Sequence, residues 1–381
     1  MSGMSRTKKM SKIKFFKMPA KAMMIVLSLM NYLDRLSFSI CSKAAKLMIK
    51  KSKLDIAIDA KVEFKTHLRI EIMFEENLGL DLYVRIPFEG REAFVNLEPS
   101  MITSVKAIRQ EEADENSDDE DEFERNRWSY EHLNAKAWLD HCQDIYRIKS
   151  IEVYVQDYPC VYNYATYRSL FENHTVRNLY FERKSADNIA SPLKSLQELL
   201  NIKLPERKLE VVTGVFDDPM SIQKTCIRKI EYVTLLSRIP IFDLHPIRPF
   251  FSLDDLLVSN AGHLLMDGEI NITAKDLNKF LHHWIRGSNK NLKFLNFSFR
   301  ERAPKNFTGL LKGIRSEGFP AGTSRVVYVP TRIRNEMERY ELSRGVNIQS
   351  ADGRVGSIEF RAGNNGISWF WFCVDGSIFV Y

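Results

Sequence analysis

Two pairs of neighbouring side chains carry groups that catalysis or metal binding can use. His141–Cys142 joins an imidazole to a thiol, and His282–His283 places two imidazoles side by side. A cysteine nucleophile needs a base and an orienting group close in space, and the sequence does not identify them. The second pair has no acidic ligand at metal-binding spacing. We therefore expect both pairs to be structural, with no catalytic residue and no metal ligand.

The motifs that bind nucleotides or zinc, or that activate a serine, are absent from the sequence. It contains no G-x-G-x-x-G, no phosphate-binding loop, no H-E-x-x-H and no G-x-S-x-G. The five cysteines are odd in number and none stands at C-x-x-C spacing, which argues against a zinc ribbon or a disulfide framework. We predict a chain that requires no cofactor and acts by binding.

Charge is divided between two opposed blocks. Residues 1–53 hold thirteen Lys and Arg but one acid, Asp34, and residues 1–14 are predicted to be a basic disordered tail. Between Glu111 and Glu124 there are ten acids and no base, and 108–126 is predicted to be a disordered loop. The acidic run could instead be a phosphorylation target at Ser117 or a clamp on the basic N-terminus. The basic end would attract an acidic partner, nucleic acid or anionic lipid.

The apolar run Ala22–Leu33 is twelve residues long and includes Asn31. A membrane span needs about 18–20 apolar residues, so this run is too short, and no small-residue cleavage site follows it. Helical spacing fits better: a first face with Pro19 at the helix start, a turn at 31–35, and a second face. The first face comprises Met23, Val26, Leu27, Met30 and Leu33, and the second Leu36, Ile40, Ala44 and Leu47. Two such short helices must pack on the rest of the chain or on a partner.

From Leu54 to Ile86 the apolar residues alternate with polar ones, in three runs separated at 65–67 and 75–79. This alternation predicts an antiparallel β-meander within 53–100, apolar on one face and charged on the other. Beyond 127, predicted strands and helices follow one another with strands about thirty residues apart, the period of leucine-rich-repeat-like arrays and of βαβ units. The predicted class is α+β: N-terminal helices, the meander, then an irregular βα array that ends in C-terminal strands.

The segment Ile270–Phe299 is the best-defined later unit. Thr273 and Asp276 stand at capping-box spacing, an apolar stripe from Leu277 to Ile285 follows, and Gly287 suits a left-handed C-cap. The strand "LKFLNFSF" comes next. Near the C-terminus, Phe370 and Phe372 share one face of a predicted strand, and Trp369 and Trp371 share the other. We interpret this aromatic cluster as core filling rather than as a substrate-binding patch.

The N-terminal helices resemble an F-box. The resemblance rests on Pro19, Met30, Ser39 and "CSK" at 41–43, and it is closest to the F-box of a large nematode family. The segment after 270 resembles the type-2 F-box-associated domain, whose core pattern is "DLN.FL..W..G.N..L..L". The matching residues are Asp276, Leu277, Asn278, Phe280, Leu281, Trp284, Gly287, Asn289, Leu292 and Leu295. Met18, Ser37 and Phe38 depart from the usual F-box residues.

These resemblances imply a non-catalytic, substrate-recruiting subunit of a ubiquitin ligase. The F-box, 15–52, would bind a Skp-type adaptor that leads to a cullin and a RING protein, and the F-box-associated βα domain, 127–381, would bind a protein substrate. The adaptor-binding residues that the resemblance and the helix faces suggest are Pro19, Met23, Val26, Leu27, Met30, Leu36, Ile40, Ser42 and Lys43. The expected location is the cytoplasm, the nucleus or both.

Three other interpretations remain at this point. The chain could be a ligase-independent interaction scaffold that retains an F-box-like helix pair. It could bind nucleic acid through its basic N-terminus, where Phe15 and Phe16 supply the only nearby aromatics. It could be secreted after removal of about the first forty residues, although the odd number of cysteines speaks against that.

Overall fold

A computed structural model gives the fold of the chain. It describes most of the N-terminal helices, the sheets and their connections, with gaps between them. The described residues are 15–54, 57, 59–64, 68–74, 78–84, 104–109, 127–128, 135–157, 164–183, 199–200, 205–212, 219–236, 251–267, 272–299, 309–320, 322–330, 337–362, 368–374 and 378–380. The predicted basic tail, most of the predicted acidic loop and the predicted break between strands at 65–67 lie outside these residues.

Three consecutive helices follow a short 3₁₀ turn at Phe15–Lys17: α1 (Ala20–Leu29), α2 (Tyr32–Cys41) and α3 (Lys43–Ser52). The prediction of two helices was wrong in its second half. Asn31 already caps α2, because its side chain accepts a hydrogen bond from Asp34 N at 2.8 Å, so 31–35 is not a turn. Ser42 then caps α3 by accepting from Ala45 N at 3.1 Å.

The break at Ser42 changes which face of the third helix is buried. Ser42 has extended backbone angles, so the helical phase restarts there. Ala45 and Ile49 point into the core, whereas Leu47 is half exposed and Ala44 is exposed. A single continuous helix would have placed Leu36, Ile40, Ala44 and Leu47 on one face, and that expectation is not met.

The predicted meander is confirmed. β1 (Asp59–Phe64), β2 (Leu68–Met73), β3 (Leu78–Val84) and β4 (Ser104–Arg109) pair antiparallel in order, and β5 (Arg127–Trp128) pairs with β4. The apolar face is buried, as the alternation predicts. The charged face also holds buried carboxylates: Glu63 and Glu71 are nearly inaccessible, and Arg69 donates to Glu63 at 3.3 Å.

Six parallel strands form the centre of the molecule. They lie side by side in chain order and are β6 (Ile151–Asp157), β7 (Val176–Arg183), β8 (Lys208–Val212), β9 (Tyr232–Leu236), β10 (His263–Asp267) and β11 (Phe294–Phe299). The described helices between or before them are α4 (Ala135–Tyr146), α5 (Tyr164–Phe171), α6 (Pro219–Cys226), α7 (Leu253–Val258) and α8 (Ala274–Ile285). This order confirms the predicted alternation of strands and helices.

The strands after β11 extend the same sheet and add a smaller one. They are β12 (Ser316–Gly318), β13 (Arg325–Pro330), β14 (Met337–Leu342), β15 (Val346–Gln349), β16 (Val355–Ala362), β17 (Ser368–Val374) and β18 (Ile378–Val380). Fifteen of the described strands form one sheet in the order β12-β15-β16-β17-β11-β10-β9-β8-β7-β6-β1-β2-β3-β4-β5, and β14-β13-β18 form the second. The meander and the βα array, predicted as separate units, therefore share one sheet, because β1 pairs in parallel with β6.

One large apolar cluster runs along the helix-covered face of the sheet, from Leu27 and Leu36 of the N-terminal helices to Phe370 and Phe372 of β17. A smaller cluster lies on the opposite face. It contains Phe294 and Trp371 of the large sheet and Leu342 of the second sheet. Core filling is therefore confirmed for Phe370 and Phe372, which are fully buried, and Trp371 is also buried, whereas Trp369 is about one-third exposed.

The helix α8 connects several parts of the array. Its capping box is formed as predicted: Thr273 Oγ1 accepts from Asp276 N, and the Asp276 carboxylate accepts from Thr273 N. Asn278 Nδ2 donates to the carbonyls of Leu310 and Lys312, at 2.6 and 3.0 Å. These bonds fix the turn at 309–313, which follows β11, against the helix. Beyond the helix, Gly287 has φ +95°, the left-handed conformation expected of its C-cap.

Two polar side chains connect the end of α8 with its neighbours. Asn289 Nδ2 donates to the carbonyls of Leu256 and Ser259 at 3.1 and 2.9 Å, which satisfies the end of α7. Arg354 lies over the Trp284 ring at 5.1 Å and donates to the carbonyl of Ser288 at 3.4 Å. The tryptophan and asparagine of the sequence pattern thus join α8 to α7 and to the C-terminal strands.

No helix among the residues that the structure describes is long and apolar enough to cross a membrane.

Gly356 provides a direct test of this packing. A Cβ atom there would lie 2.5 Å from the Phe372 ring and 3.0 Å from the Trp284 ring. We expect Gly356→Ala to lower the free energy of unfolding by about 1–3 kcal/mol, because a crowded core must shift to accept the methyl group. Gly318→Ala is the matched control, since nothing lies within 4 Å of its added Cβ. Equal denaturation midpoints for the two variants would contradict this arrangement.

Candidate functional site

Exposed apolar side chains concentrate at the N-terminal helices. In the described part of the chain nine large hydrophobic residues are notably exposed, and six of them lie between residues 16 and 54. We call these six the apolar face: Phe16, Met24, Ile25, Leu29, Leu47 and Leu54. Scattered single residues of this kind are ordinary on protein surfaces, but a concentration within one short region indicates an interaction site.

The first helix is apolar on both sides. Leu27 is fully buried against the chain's own core, whereas Ile25 is 60% exposed and Leu29 is 81% exposed. Ile25 stands four residues before Leu29, so these two side chains lie on the same side of α1, whereas Met24 stands three residues before the buried Leu27. A helix that is apolar all round is normally covered on every side. α1 is covered on one side by this chain and presents the other to solvent.

The residues predicted to bind an adaptor divide into three groups. Leu27 and Leu36 are fully buried in the core, so they hold the helices in place and offer no surface to a partner. Four are half-buried: Met23, Val26, Met30 and Ile40. Pro19, Ser42 and Lys43 are exposed. Pro19 stands at the N-cap of α1, one residue before the predicted position, and its carbonyl accepts from Met23 N at 3.0 Å.

The most exposed apolar residues were missed by the sequence reasoning. Ile25 and Leu29 fall on the side of α1 away from the face that the apolar spacing selected. The signal was present in the composition of the helix, since "AMMIVLSL" has apolar residues at positions that one face cannot accommodate. When a helix has more apolar residues than one face can hold, the sequence indicates that a second face is also covered.

Exposed basic side chains lie in the same N-terminal segment as the apolar face. Lys17, Lys21, Lys43 and Lys51 are exposed and make no ion pair within the described part of the chain. Lys46 and Lys50 behave differently, because both bind the carboxylate of Asp144 on α4, Lys46 at 3.0 Å. These contacts, the hydrogen bond from Lys50 first, hold the pKa of Asp144 below its usual value. The unpaired lysines give the site a positive rim.

An aromatic stack attaches the N-terminal helices to the sheet. The ring of Tyr32, the first residue of α2, stacks on Phe74 with centroids 4.1 Å apart, and Phe74 meets Tyr146 of α4 edge-on at 4.9 Å. Tyr146 Oη also donates to the carbonyl of Tyr32 at 3.3 Å. The three rings come from the helices, from the end of β2 and from α4, so the contact fixes three parts of the chain together.

Ser39 and His141 form a buried hydrogen bond in the same region. Ser39 Oγ lies 2.6 Å from the carbonyl of Leu36 and 2.7 Å from His141 Nε2. The single hydroxyl proton goes to the carbonyl, so the geometry fits a neutral imidazole that donates from Nε2 to Ser39 Oγ. Burial, aided by the positive charge of Lys46, lowers the pKa of His141 to about 4. Ser39, one of the four residues of the F-box-like spacing, therefore joins α2 to α4.

Several of the cysteine and histidine side chains that could have served catalysis or metal binding are buried or bonded to the backbone. Burial raises the pKa of the Cys142 thiol far above its usual value and that of Cys226 to about 12, which disfavours the nucleophilic thiolate. His282 Nε2 contacts the carbonyl of Lys312 at 3.1 Å. Among the described residues no group of three or more His, Cys, Asp or Glu could hold a metal ion.

The described part of the chain thus has two main parts, three short N-terminal helices and a long mixed sheet on which they pack. Comparison with family models identifies both parts. An F-box domain model matches residues 15–57, and an F-box associated model, of type 2, matches residues 221–297. The chain therefore contains both domains, in the order that the sequence resemblance predicts. Neither curated proteins nor solved structures yield a match.

The two matches give each region a general role. F-box domains typically bind Skp-type adaptors, and both domain types are typical of non-catalytic receptor proteins. Together they support an F-box substrate-recognition protein. The matched residues 221–297 run from α6 to β11, the part of the array in which Asn289 and Trp284 make their contacts. The resemblance to a nematode type of F-box stays a prediction.

The buried histidine gives the attachment of the helices a defined pH dependence. A histidine with a pKa near 6.5 when unfolded and about 4 when folded binds more protons in the unfolded state between these values. Stability should therefore fall as the pH drops from 6.5 to 4, with a slope from this residue of up to about 1.4 kcal/mol per pH unit. Urea denaturation at several pH values measures it.

His141→Gln should flatten this slope while keeping a donor for Ser39. His263→Gln is a second variant, because burial also lowers the pKa of His263 to about 4, and it should remove a separate part of the slope. If the pH dependence of His141→Gln equals that of the wild type, the buried neutral histidine is not present.

Proposed function

We propose that this protein is a substrate-recruiting receptor of a Skp/cullin/RING-type ubiquitin ligase. The observation that carries the proposal is the apolar face: an F-box domain match coincides with six exposed apolar side chains on helices that are otherwise well packed. Burying such a surface is favourable at roughly 25 cal/mol per Å². A Skp-type adaptor would cover it, and would lead through a cullin to a RING protein and its ubiquitin-conjugating enzyme.

In this role the chain supplies position and no catalytic group. Holding a substrate lysine near a charged conjugating enzyme raises its effective concentration, as intramolecular placement does in other reactions. The stack of Tyr32, Phe74 and Tyr146 supports such a role, because it ties the docking helices to the sheet that carries the F-box associated domain. A substrate bound by the array would then be held at a set distance from the adaptor.

We further propose that the protein works in the cytoplasm, the nucleus or both. Cytoplasmic and nuclear compartments keep thiols reduced. Cys142, Cys226 and Cys373 are buried as free thiols, and Cys41 is an exposed free thiol. A chain with these cysteines suits a reducing compartment.

Adaptor binding provides the first test. We expect the full-length chain to bind a purified Skp-type adaptor, and Leu29→Asp or Ile25→Asp to weaken binding by at least about tenfold, because each places a charge in the buried contact. Both side chains are exposed, so folding should be retained. Gln349→Asp, at an exposed position near the opposite end of the sheet, adds the same charge as a control. If wild type does not bind the adaptor, the proposal is wrong.

The basic rim should act mainly on the rate of association. Lys43→Glu together with Lys51→Glu should slow association with an acidic adaptor several-fold at low ionic strength, and the difference should shrink near 0.5 M salt, because rim charges steer encounter and are screened. Surface plasmon resonance at two salt concentrations measures this. An effect confined to the dissociation rate would show that these lysines make buried contacts instead.

A further inference from the structure

One edge of the parallel array carries a row of basic side chains. We call it the basic edge: the residues just before β6 to β11 together with the first residues of these parallel strands. Because β6 to β11 are parallel neighbours, these segments lie next to one another in chain order. Backbone hydrogen bonds continue between them, from Arg207 N to the carbonyl of Arg177 and from Lys293 N to the carbonyl of Gly262.

The cations of the basic edge lack carboxylate partners. Six basic residues here are exposed or half-exposed and make no ion pair within the described parts of the chain. They are Lys149, Arg177, Arg228, Lys229, Arg286 and Lys290. Repulsion among them costs free energy unless an anion is supplied from outside.

The acids of the same edge are mostly engaged. Glu172 pairs with Arg168 at 3.7 Å, and Glu231 pairs with Arg207 at 3.5 Å. Asp352, close by, is held by Arg354, and this contact lowers the pKa of Asp352 to about 2. Glu206, just before β8, is the exception: it is exposed and makes no ion pair among the described residues, so a single unpaired acid stands against the six unpaired cations and the edge keeps an excess of positive charge.

A purely structural role explains only part of this row. A cation just after a helix interacts favourably with the helix dipole, and Arg286, directly after α8, is placed to do so. Lys149, Arg228 and Lys229 also lie within one turn of a helix end, whereas Arg177 and Lys290 stand more than one turn beyond, where the dipole effect has faded. The surplus charge therefore indicates a ligand.

Two exposed apolar side chains lie among the cations. Ile227, after α6, is 54% exposed and Val258, at the end of α7, is 40% exposed. Their connections touch, since Asn260 N donates to the carbonyl of Cys226 at 2.8 Å. An aliphatic pair suits a polypeptide, whereas a single-stranded nucleic acid is normally held by aromatic side chains on which its bases stack.

We propose that the basic edge binds an acidic segment of a partner protein, one that carries an apolar side chain to cover Ile227 and Val258. The six strands span about 24 Å, the length of roughly seven residues in extended conformation. The inference does not depend on adaptor docking. If the proposed ligase role holds, the partner is a substrate with an acidic recognition segment.

Fluorescence anisotropy with the full-length chain tests this surface. The probe is a fluorescein-labelled peptide of about twelve residues, long enough to span the edge, with glutamate at alternate positions and one central leucine. We expect Arg228→Glu, Lys229→Glu and Arg286→Glu together to weaken binding by roughly tenfold or more at low salt. The same peptide with glutamine in place of glutamate should not bind.

The matched control changes the same charge elsewhere. Lys275→Glu, Lys312→Glu and Arg315→Glu alter three exposed positions that are not among the six cations of the basic edge, so an effect of net charge alone would appear equally in both variants. Their loss should stay below about threefold. Circular dichroism reports folding, and if the edge reversal unfolds, Arg228→Gln, Lys229→Gln and Arg286→Gln should still weaken binding severalfold.

Three results would overturn the proposal. They are equal losses in the edge and control variants, no binding of the acidic peptide by wild type at about 50 mM salt, and tighter binding of a single-stranded oligonucleotide of equal charge. The last result would assign the edge to nucleic acid. None of these measurements uses an adaptor, so a failure here leaves the proposed ligase role to be judged separately.

Discussion

The stack of Tyr32, Phe74 and Tyr146 is the contact on which the organisation of this protein depends. It is the point where the N-terminal helices, the antiparallel meander and the first helix of the array meet. Aromatic pairs in such geometry contribute about 0.5–1.5 kcal/mol each beyond the area that they bury. Two further contacts join the same helices to α4: the hydrogen bond between Ser39 and His141, and the ion pairs of Asp144 with α3. Because hydrogen-bonded, ionic and aromatic contacts all occur there, the N-terminal helices are held in one orientation on the sheet.

A second constraint acts along the sheet. The parallel pairing of β1 with β6 makes the meander continuous with the βα array, so the hydrogen-bonded ladder runs without interruption from the helices to the C-terminal strands. α8 and the residues after it connect the C-terminal half of the sheet. Asn278 bonds the chain after β11, Asn289 bonds the end of α7, and Trp284 contacts Arg354 before β16. Asn278 and Asn289, two polar residues of the F-box associated pattern, thus stabilise the fold itself.

Much of the fold could be predicted because local rules and tertiary packing agree. The meander follows from strict alternation, and the capping box at Thr273 and the left-handed Gly287 follow from residue chemistry. The break at Ser42 was missed, because the sequence pattern does not distinguish a serine inside a helix from one that begins a new helix. Here the Ser42 side chain caps α3. The exposed side of α1 was missed for another reason: periodicity identifies which face is apolar, and here two faces are. Ser39 was recognised by its spacing alone, and only the fold shows that it bonds His141 across 102 residues of sequence.

The two-sided character of α1 has a consequence for the life of the protein in a cell. A partner that covers Ile25 and Leu29 binds the folded chain and not the unfolded one, so by mass action the partner raises the folded population. A chain made in excess of that partner leaves the same surface uncovered, open to chaperones, to self-association and to quality control. The abundance of the protein would then follow the supply of its partner. Excess chains with an uncovered α1 would be removed, which would keep the two proteins in matched amounts.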